Sequence, residues 1–92
     1  RSKMFAEPET MEIRVFGPLG TDFVFKMGIL QRMGKLFMIF AIQARLDPAT
    51  LRFRLRLRSG DARLLADDDT AHTLGLGATL PNQSYLVDCS QV

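Results

Sequence analysis

The sequence predicts an α+β fold in which a small mixed sheet wraps around one long helix. One stretch, residues 29–46, is long enough and periodic enough to form that helix. Stretches of alternating apolar and polar residues precede and follow it, and this alternation is the pattern of strands buried on one face. The chain has 92 residues, of which 47% are hydrophobic, so it contains enough apolar material for one domain with one core.

The chain begins with a polar stretch and a hairpin. Residues 1–10 (RSKMFAEPET) show no sustained period, so we interpret them as a flexible leader before a domain that spans residues 11–92. Residues 11–16 (MEIRVF) and 22–27 (DFVFKM) alternate as half-buried strands do. Residues 17–20 (GPLG) form the turn between them, since Gly adopts positive φ readily and Pro presets the bend. These elements predict the first hairpin.

The long helix is apolar on both sides. At helical spacing its buried stripe consists of Ile29, Met33, Leu36, Phe40 and Ala44. The outer side carries Phe37, Met38, Ile39 and Ile42. A helix that is apolar all round is usually buried on every side, so we expect something to cover the outer side. The helix also contains Arg32, Lys35 and Arg45 within about 18 residues, which argues against a membrane span.

The second half of the chain predicts three further strands. Residues 51–58 (LRFRLRLR) alternate throughout, with apolar residues on one face and arginines on the other. A turn leads into a shorter strand at residues 62–65, and residues 85–89 (YLVDC) form the last strand. Residues 70–76 (TAHTLGL) are predicted as a single helical turn or a loop, closed by Gly75. The order of elements is therefore ββαββ followed by one more strand.

The residue types predict neither an enzyme nor a metal or cofactor site. His72 is the only histidine and Cys89 the only cysteine, so there is no zinc-ligand spacing, and no Gly-rich phosphate loop is present. The aspartates at residues 67–69 are interpreted as a solvated acidic turn rather than a cation site. We predict that Cys89 is buried and inert, and a lone thiol fits a reducing nuclear or cytoplasmic setting.

Short motifs resemble the small ubiquitin-like modifier (SUMO) and its SUMO-like domain relatives. They occur in the family's order between residues 11 and 89. The motifs are residues 25–27 (FKM), 33–36 (MGKL), 51–53 (LRF), 66–67 (AD), Thr70 and 74–76 (LGL). The resemblance implies the β-grasp, or ubiquitin-like, roll and a binding protein rather than a catalyst.

The resemblance also implies a peptide-binding groove between the second strand and the helix. In SUMO-like folds a short hydrophobic peptide adds itself there as an extra strand. The matching floor consists of Phe23, Phe25, Met27, Leu36 and Phe40. Lys26, Arg32 and Lys35 provide a basic rim for acidic residues that flank such peptides. The alternative is that these five apolar residues are ordinary core beneath the helix.

Two other family features differ in this chain. The family face that docks on the SUMO-conjugating enzyme is acidic, whereas residues 77–83 (GATLPNQ) contain no carboxylate. Charge complementarity to that enzyme is therefore reduced or reversed. The chain starts at Arg1 and ends at Ser90-Gln91-Val92 without the family's di-glycine. We therefore expect either a fragment of a longer chain or a protein that is never conjugated.

Four arginines have no counterpart in the resemblance. Arg52, Arg54, Arg56 and Arg58 share one face of the predicted third strand. Alternate residues on a strand lie about 6.5–7 Å apart, a spacing that suits phosphates or an acidic peptide. No aromatic residue is interleaved on that face, so stacking on single-stranded bases is not supported. The interpretation we favour over nucleic-acid binding is a solvated outer face.

We interpret the chain as a non-catalytic SUMO-like interaction module within a longer protein of the SUMO or genome-maintenance machinery. Its expected partners are proteins with short hydrophobic-acidic motifs. The alternatives are a divergent conjugatable modifier cut before its di-glycine, a basic nucleic-acid-binding module and a self-associating module. The apolar outer side of the helix would be covered either by a second copy, in a self-associating module, or by Met4 and Phe5 of the leader. We favour a second copy, because the leader has only two apolar residues and the outer side of the helix has four.

Overall fold

A five-stranded mixed sheet packs one face against a single long helix. The computed structural model describes residues 9–80 and 82–92, so residues 1–8 of the predicted leader, with Met4 and Phe5, lie outside the described residues. The elements in chain order are β1 (Thr10–Phe16), β2 (Asp22–Gly28), α1 (Met33–Ala44), β3 (Leu51–Arg56), β4 (Ala62–Leu64), α2 (Ala71–Leu74) and β5 (Tyr85–Gln91). The strand order is β2-β1-β5-β3-β4, with β1 and β5 parallel and the other neighbours antiparallel. The predicted α+β fold is confirmed.

The core lies between α1 and the inner face of the sheet. Buried residues alternate with exposed ones along β3 and with half-buried or exposed ones along β1, as the sequence pattern predicts. The largest fully buried side chains are Phe40, Met11, Ile13, Met33, Leu55, Val15 and Val87. Burying a side chain of this size contributes about 1.5–3 kcal/mol. Tertiary packing therefore holds α1, which has no side-chain cap at its N-terminus.

The helix is shorter than the predicted range of residues 29–46. It begins after Arg32, whose φ of −79° and ψ of 145° are extended, and a turn precedes that residue. It ends at Ala44, because Arg45 adopts a left-handed conformation with φ 59° and ψ 44°. The apolar residues at 29 and 30 continue the helical pattern into the turn, so periodicity alone places the start too early.

Backbone carbonyls of the acidic loop, residues 66–69, cap the N-terminus of α1. The N–H of Met33 donates to the carbonyl oxygen of Asp69 at 2.7 Å, and the N–H of Gly34 donates to that of Asp67 at 2.8 Å. A Cβ at Gly34 would lie 3.1 Å from the same Asp67 oxygen. Glycine therefore permits the close approach that closes this end of the helix.

β3 ends two residues before its predicted end. The chain turns there, since the N–H of Leu57 donates to the carbonyl oxygen of Asp61 at 2.8 Å. Arg58 consequently lies in the turn, and only three of the four predicted arginines lie on the strand. The helical turn predicted around residue 72 is present as α2, capped by Thr70. Within the described residues, no helix is both long and apolar enough to cross a membrane.

Candidate peptide-binding groove

An open groove lies between β2 and α1 at one edge of the sheet. β2 is the first strand in the sheet order, so among the described residues no strand pairs with its outer side. Such an edge offers unpaired N–H and C=O groups to an incoming chain. The groove has a volume of about 290 Å³. Its lining residues are Phe25, Lys26, Met27, Gln31, Lys35, Leu36 and Ile39.

Five of the eight residues predicted for this groove line it. They are Phe25, Lys26, Met27, Lys35 and Leu36. Phe40 lies beneath the floor with no exposed surface, and its ring meets those of Phe23 and Phe25 edge-on, with centroids 5.7 and 6.4 Å away. Phe23 and Arg32 lie outside the lining. The alternative interpretation therefore applies to part of the floor, because Met27, Leu36 and Phe40 are buried core residues.

Two lining residues, Gln31 and Ile39, were not predicted for the groove. Ile39 was predicted to lie on the outer side of the helix, but it is half-buried and faces β2. Its spacing of three residues from Leu36 is the signal that places both side chains on one flank. Gln31 lies in the turn before α1, so helical spacing does not locate it.

The rim of the groove is basic. Lys26, Arg32 and Lys35 are all exposed. Across residues 9–80 and 82–92, none of them forms an ion pair with a carboxylate. Glu12 lies opposite Lys26 in the register of β1 and β2, but it is not within ion-pair distance. The positive charge of the rim attracts carboxylates of a bound peptide.

The arginines of β3 differ in their surroundings. Arg56 donates from Nε and Nη2 to the two carboxylate oxygens of Asp88, both at 2.7 Å. Its Cζ also lies 5.0 Å from the ring centroid of Phe16, within the range of a cation–π contact. Arg54 donates to the hydroxyl of Ser90 at 3.2 Å. Arg56 is thus part of a structural cluster rather than a free phosphate ligand.

A matching pair lies on the other side of Phe16. Arg14 donates to the carboxylate of Asp22 at 2.8 and 3.1 Å, and its Cζ lies 5.3 Å from the Phe16 ring centroid. The hydrogen bonds from the two arginines lower the pKa values of Asp22 and Asp88. The outer face of the sheet therefore carries Phe16 between two guanidinium groups, each bound by its own carboxylate.

The outer side of α1 is only partly apolar. Phe37 was predicted to lie there, but it is 8% exposed and its ring stacks on Phe53, so it belongs to the core. Ile39 lies in the groove. Met38 and Ile42 remain exposed, at 52% and 71%. The predicted self-association surface is thus reduced to two side chains on this side of the helix.

No arrangement suited to a metal ion occurs in the described part of the chain, where no three His, Cys, Asp or Glu side chains converge. The carboxylate of Asp69 accepts hydrogen bonds from the N–H of Ala66 and the hydroxyl of Thr73. Cys89 is buried, and burial raises the pKa of its thiol to about 11. The thiol is therefore protonated at neutral pH, a form that is a poor nucleophile.

Comparisons with known proteins identify the fold. No protein-family model and no curated protein sequence matches the chain. A protein designed de novo from ubiquitin is similar in structure, with a TM-score of 0.69, 14% identity and 92% of each chain covered. Ubiquitin from Caldiarchaeum subterraneum has a TM-score of 0.66 and 18% identity, with 90% of this chain and 94% of that chain covered. The domain therefore has the β-grasp fold of ubiquitin.

Proposed function

We propose that the domain is a non-catalytic, SUMO-like protein-interaction module that binds a short hydrophobic peptide with flanking acidic residues between β2 and α1. The observation that carries this proposal is the coincidence of three features at one place: an unpaired strand edge, an apolar floor and a basic rim. The ubiquitin-like fold supports a binding module, and the sequence motifs at residues 25–27 and 33–36 support the SUMO-like class.

The peptide binds as an additional strand along the outer edge of β2. Its main chain forms hydrogen bonds with β2, and alternate side chains enter the groove over Phe25, Leu36 and Ile39. Carboxylates at the end of the peptide lie near Lys26 and Lys35. Each aliphatic side chain buried in the groove contributes about 1.5–3 kcal/mol, offset by the cost of association. We therefore expect a weak interaction, with a Kd between about 1 μM and 1 mM.

Calorimetry with groove variants tests this binding mode. The probe is a synthetic peptide with a run of valine, isoleucine and leucine followed by aspartates. Phe25→Ala removes part of the floor and Lys35→Glu reverses the rim, so each should weaken binding by about tenfold or more, a loss of about 1.4 kcal/mol.

Two matched controls separate the groove from the rest of the surface. Val24→Ala changes the neighbouring residue of β2, which is 55% exposed on the opposite face. Arg58 lies in the turn after β3, outside the groove lining, and Arg58→Glu makes the same charge change as Lys35→Glu. Both should bind the peptide as the wild type does. Equal affinity for all five proteins would contradict the proposal.

A role in the SUMO or genome-maintenance machinery is the second part of the proposal, and it rests on the sequence motifs. The competing role of conjugatable modifier requires a Gly-Gly sequence soon after Val92. Determining the full open reading frame separates the two roles. A reading frame that continues at once into Gly-Gly would contradict the interaction-module role, whereas a longer protein without that sequence would support it.

A further inference from the structure

A second groove lies on the opposite flank of α1, between the helix and strands β3 and β4. β4 is the last strand in the sheet order, so this groove is at the opposite edge from the peptide groove. Its volume is about 420 Å³. Its floor is formed by four buried side chains, none more than 8% exposed: Phe37, Leu51, Phe53 and Leu65. Met38, which is 52% exposed, lies at its lip.

Carboxylates outnumber cations around this groove. Asp67 is the one carboxylate among the described lining residues, and Asp68 follows it in the same exposed loop. In the part of the chain that the structure describes, neither side chain takes part in an ion pair or a hydrogen bond. Asp69 differs, because its carboxylate is held within the loop and lies 3.9 Å from Nη2 of Arg63. Two carboxylates are therefore available to a cationic partner.

Arg52 is the one cation among the described lining residues, and it forms no ion pair with a described carboxylate. The guanidinium of Arg52 donates from Nη1 to the carbonyl oxygens of Leu51 and Ala49, at 2.9 and 3.2 Å. These bonds satisfy a carbonyl of β3 at the point where β4 no longer covers it. These bonds to uncharged carbonyls leave the positive charge of Arg52 in place. The acidic excess of this flank therefore comes from the loop, where the three carboxylates of residues 67–69 outnumber the two nearby cations, Arg52 and Arg63.

The two flanks of α1 are thus complementary to each other. The β2 flank has an apolar floor and the cations Lys26, Arg32 and Lys35, whereas the β4 flank has an apolar floor and the anions Asp67 and Asp68. We propose that the β2 flank of one molecule docks on the β4 flank of a second copy, through these opposite charges and the apolar side chains beside them. This proposal does not depend on the peptide-binding function.

The geometry of such an assembly is open rather than closed. The two flanks lie at opposite edges of the sheet, so one molecule cannot use both flanks on the same partner. Contacts of this head-to-tail kind extend into chains. Exposed ion pairs contribute only about 0.2–1 kcal/mol each, so the association is weak and depends on salt. An acidic peptide in the β2 groove uses the same cations and competes with it.

Sedimentation of complementary charge variants tests the assembly. The variants are Lys26→Glu/Lys35→Glu, which leaves both flanks acidic, and Asp67→Lys/Asp68→Lys, which leaves both flanks basic. At about 0.05 M salt and from about 20 μM to about 1 mM protein, the wild type should sediment progressively faster. Each variant alone should remain monomeric, and an equimolar mixture should associate again. Arg58→Glu, which lies outside both grooves, should behave as the wild type does.

Several outcomes would overturn the proposal. A wild type that stays monomeric throughout the series contradicts it, as does a mixture of the two variants that fails to associate. Sedimentation that stops at a dimer contradicts the open geometry. A loss of association in Arg58→Glu would show that net charge rather than the two flanks is responsible. Peptide binding is measured separately at concentrations where the protein is monomeric, so a failure of self-association leaves that function standing.

Discussion

The ring of Phe37 lies parallel to the ring of Phe53, with centroids 4.2 Å apart and an angle of 7° between the planes. This stack joins the middle of α1 to β3. It explains why Phe37 is buried, although it was predicted to lie on the outer side of the helix. Its neighbour Met38 points to solvent and is 52% exposed.

The stack predicts a large difference between two adjacent substitutions. Phe37→Ala removes one ring and leaves a cavity in the core, so it should lower the free energy of unfolding by about 3–5 kcal/mol. Met38→Ala changes an exposed side chain, so its effect should be within about 0.5 kcal/mol. Urea denaturation of both variants measures these values. Similar losses for the two would show that Phe37 is not part of the core.

The pairs on the outer face of the sheet predict a specific dependence of stability on pH. Hydrogen bonds from Arg14 and Arg56 lower the folded-state pKa values of Asp22 and Asp88. The stabilisation is therefore present above the unfolded-state pKa, about 3.9, and is lost as the pH falls through the lower folded-state pKa. Asp88→Asn should flatten the fall in unfolding free energy between about pH 5 and pH 2.

The control for this experiment is Asp61→Asn. Asp61 is exposed and forms no ion pair with another described residue. Its replacement removes one carboxylate without breaking an ion pair, so it measures how much of the effect of Asp88→Asn comes from net charge alone. A slope in Asp88→Asn that equals the wild-type slope would show that the bond to Arg56 does not persist in solution.

The alternative of nucleic-acid binding through the arginines of β3 has its own test. If these arginines contact phosphates, binding should be weak and should fall steeply with salt. The plot of log affinity against log salt has a negative slope, and Arg54→Ala should make it less steep by about one unit for duplex or single-stranded DNA. Arg56→Ala should change the slope less, because Asp88 already neutralises the Arg56 side chain. Fluorescence anisotropy of labelled DNA at several salt concentrations measures both slopes. No binding at low ionic strength, or binding that ignores salt, would remove nucleic acid as a partner.

The sequence predicts the strands well because their signal is local. Alternation places each strand boundary within two residues of its observed position, and the burial of Leu51, Phe53 and Leu55 follows directly from it. The helix start is predicted four residues early, because apolar residues at 29 and 30 occupy a turn whose shape depends on the loop packed against it. That loop lies more than 30 residues away in sequence.

Features that depend on strand register were not accessible from the sequence. The pairing of Arg56 with Asp88 requires that β3 and β5 be neighbours and that Arg54 lie opposite Asp88. The four arginines therefore appear equivalent in the sequence but differ in the folded domain. Similarly, Asp67 and Asp68 lie on the β4 flank because the loop that follows β4 hydrogen-bonds to the first turn of α1.

Amide chemical-shift mapping tests the proposed peptide site most directly. The isotope-labelled domain is titrated with the aliphatic-acidic peptide at concentrations where the domain is monomeric. The account predicts that the largest shift changes lie at residues 25–27 and 35–39, on the two walls of the groove between β2 and α1. Shift changes confined to the β3–β4 side of the helix, or none near residues 23–40 at saturating peptide, would contradict it.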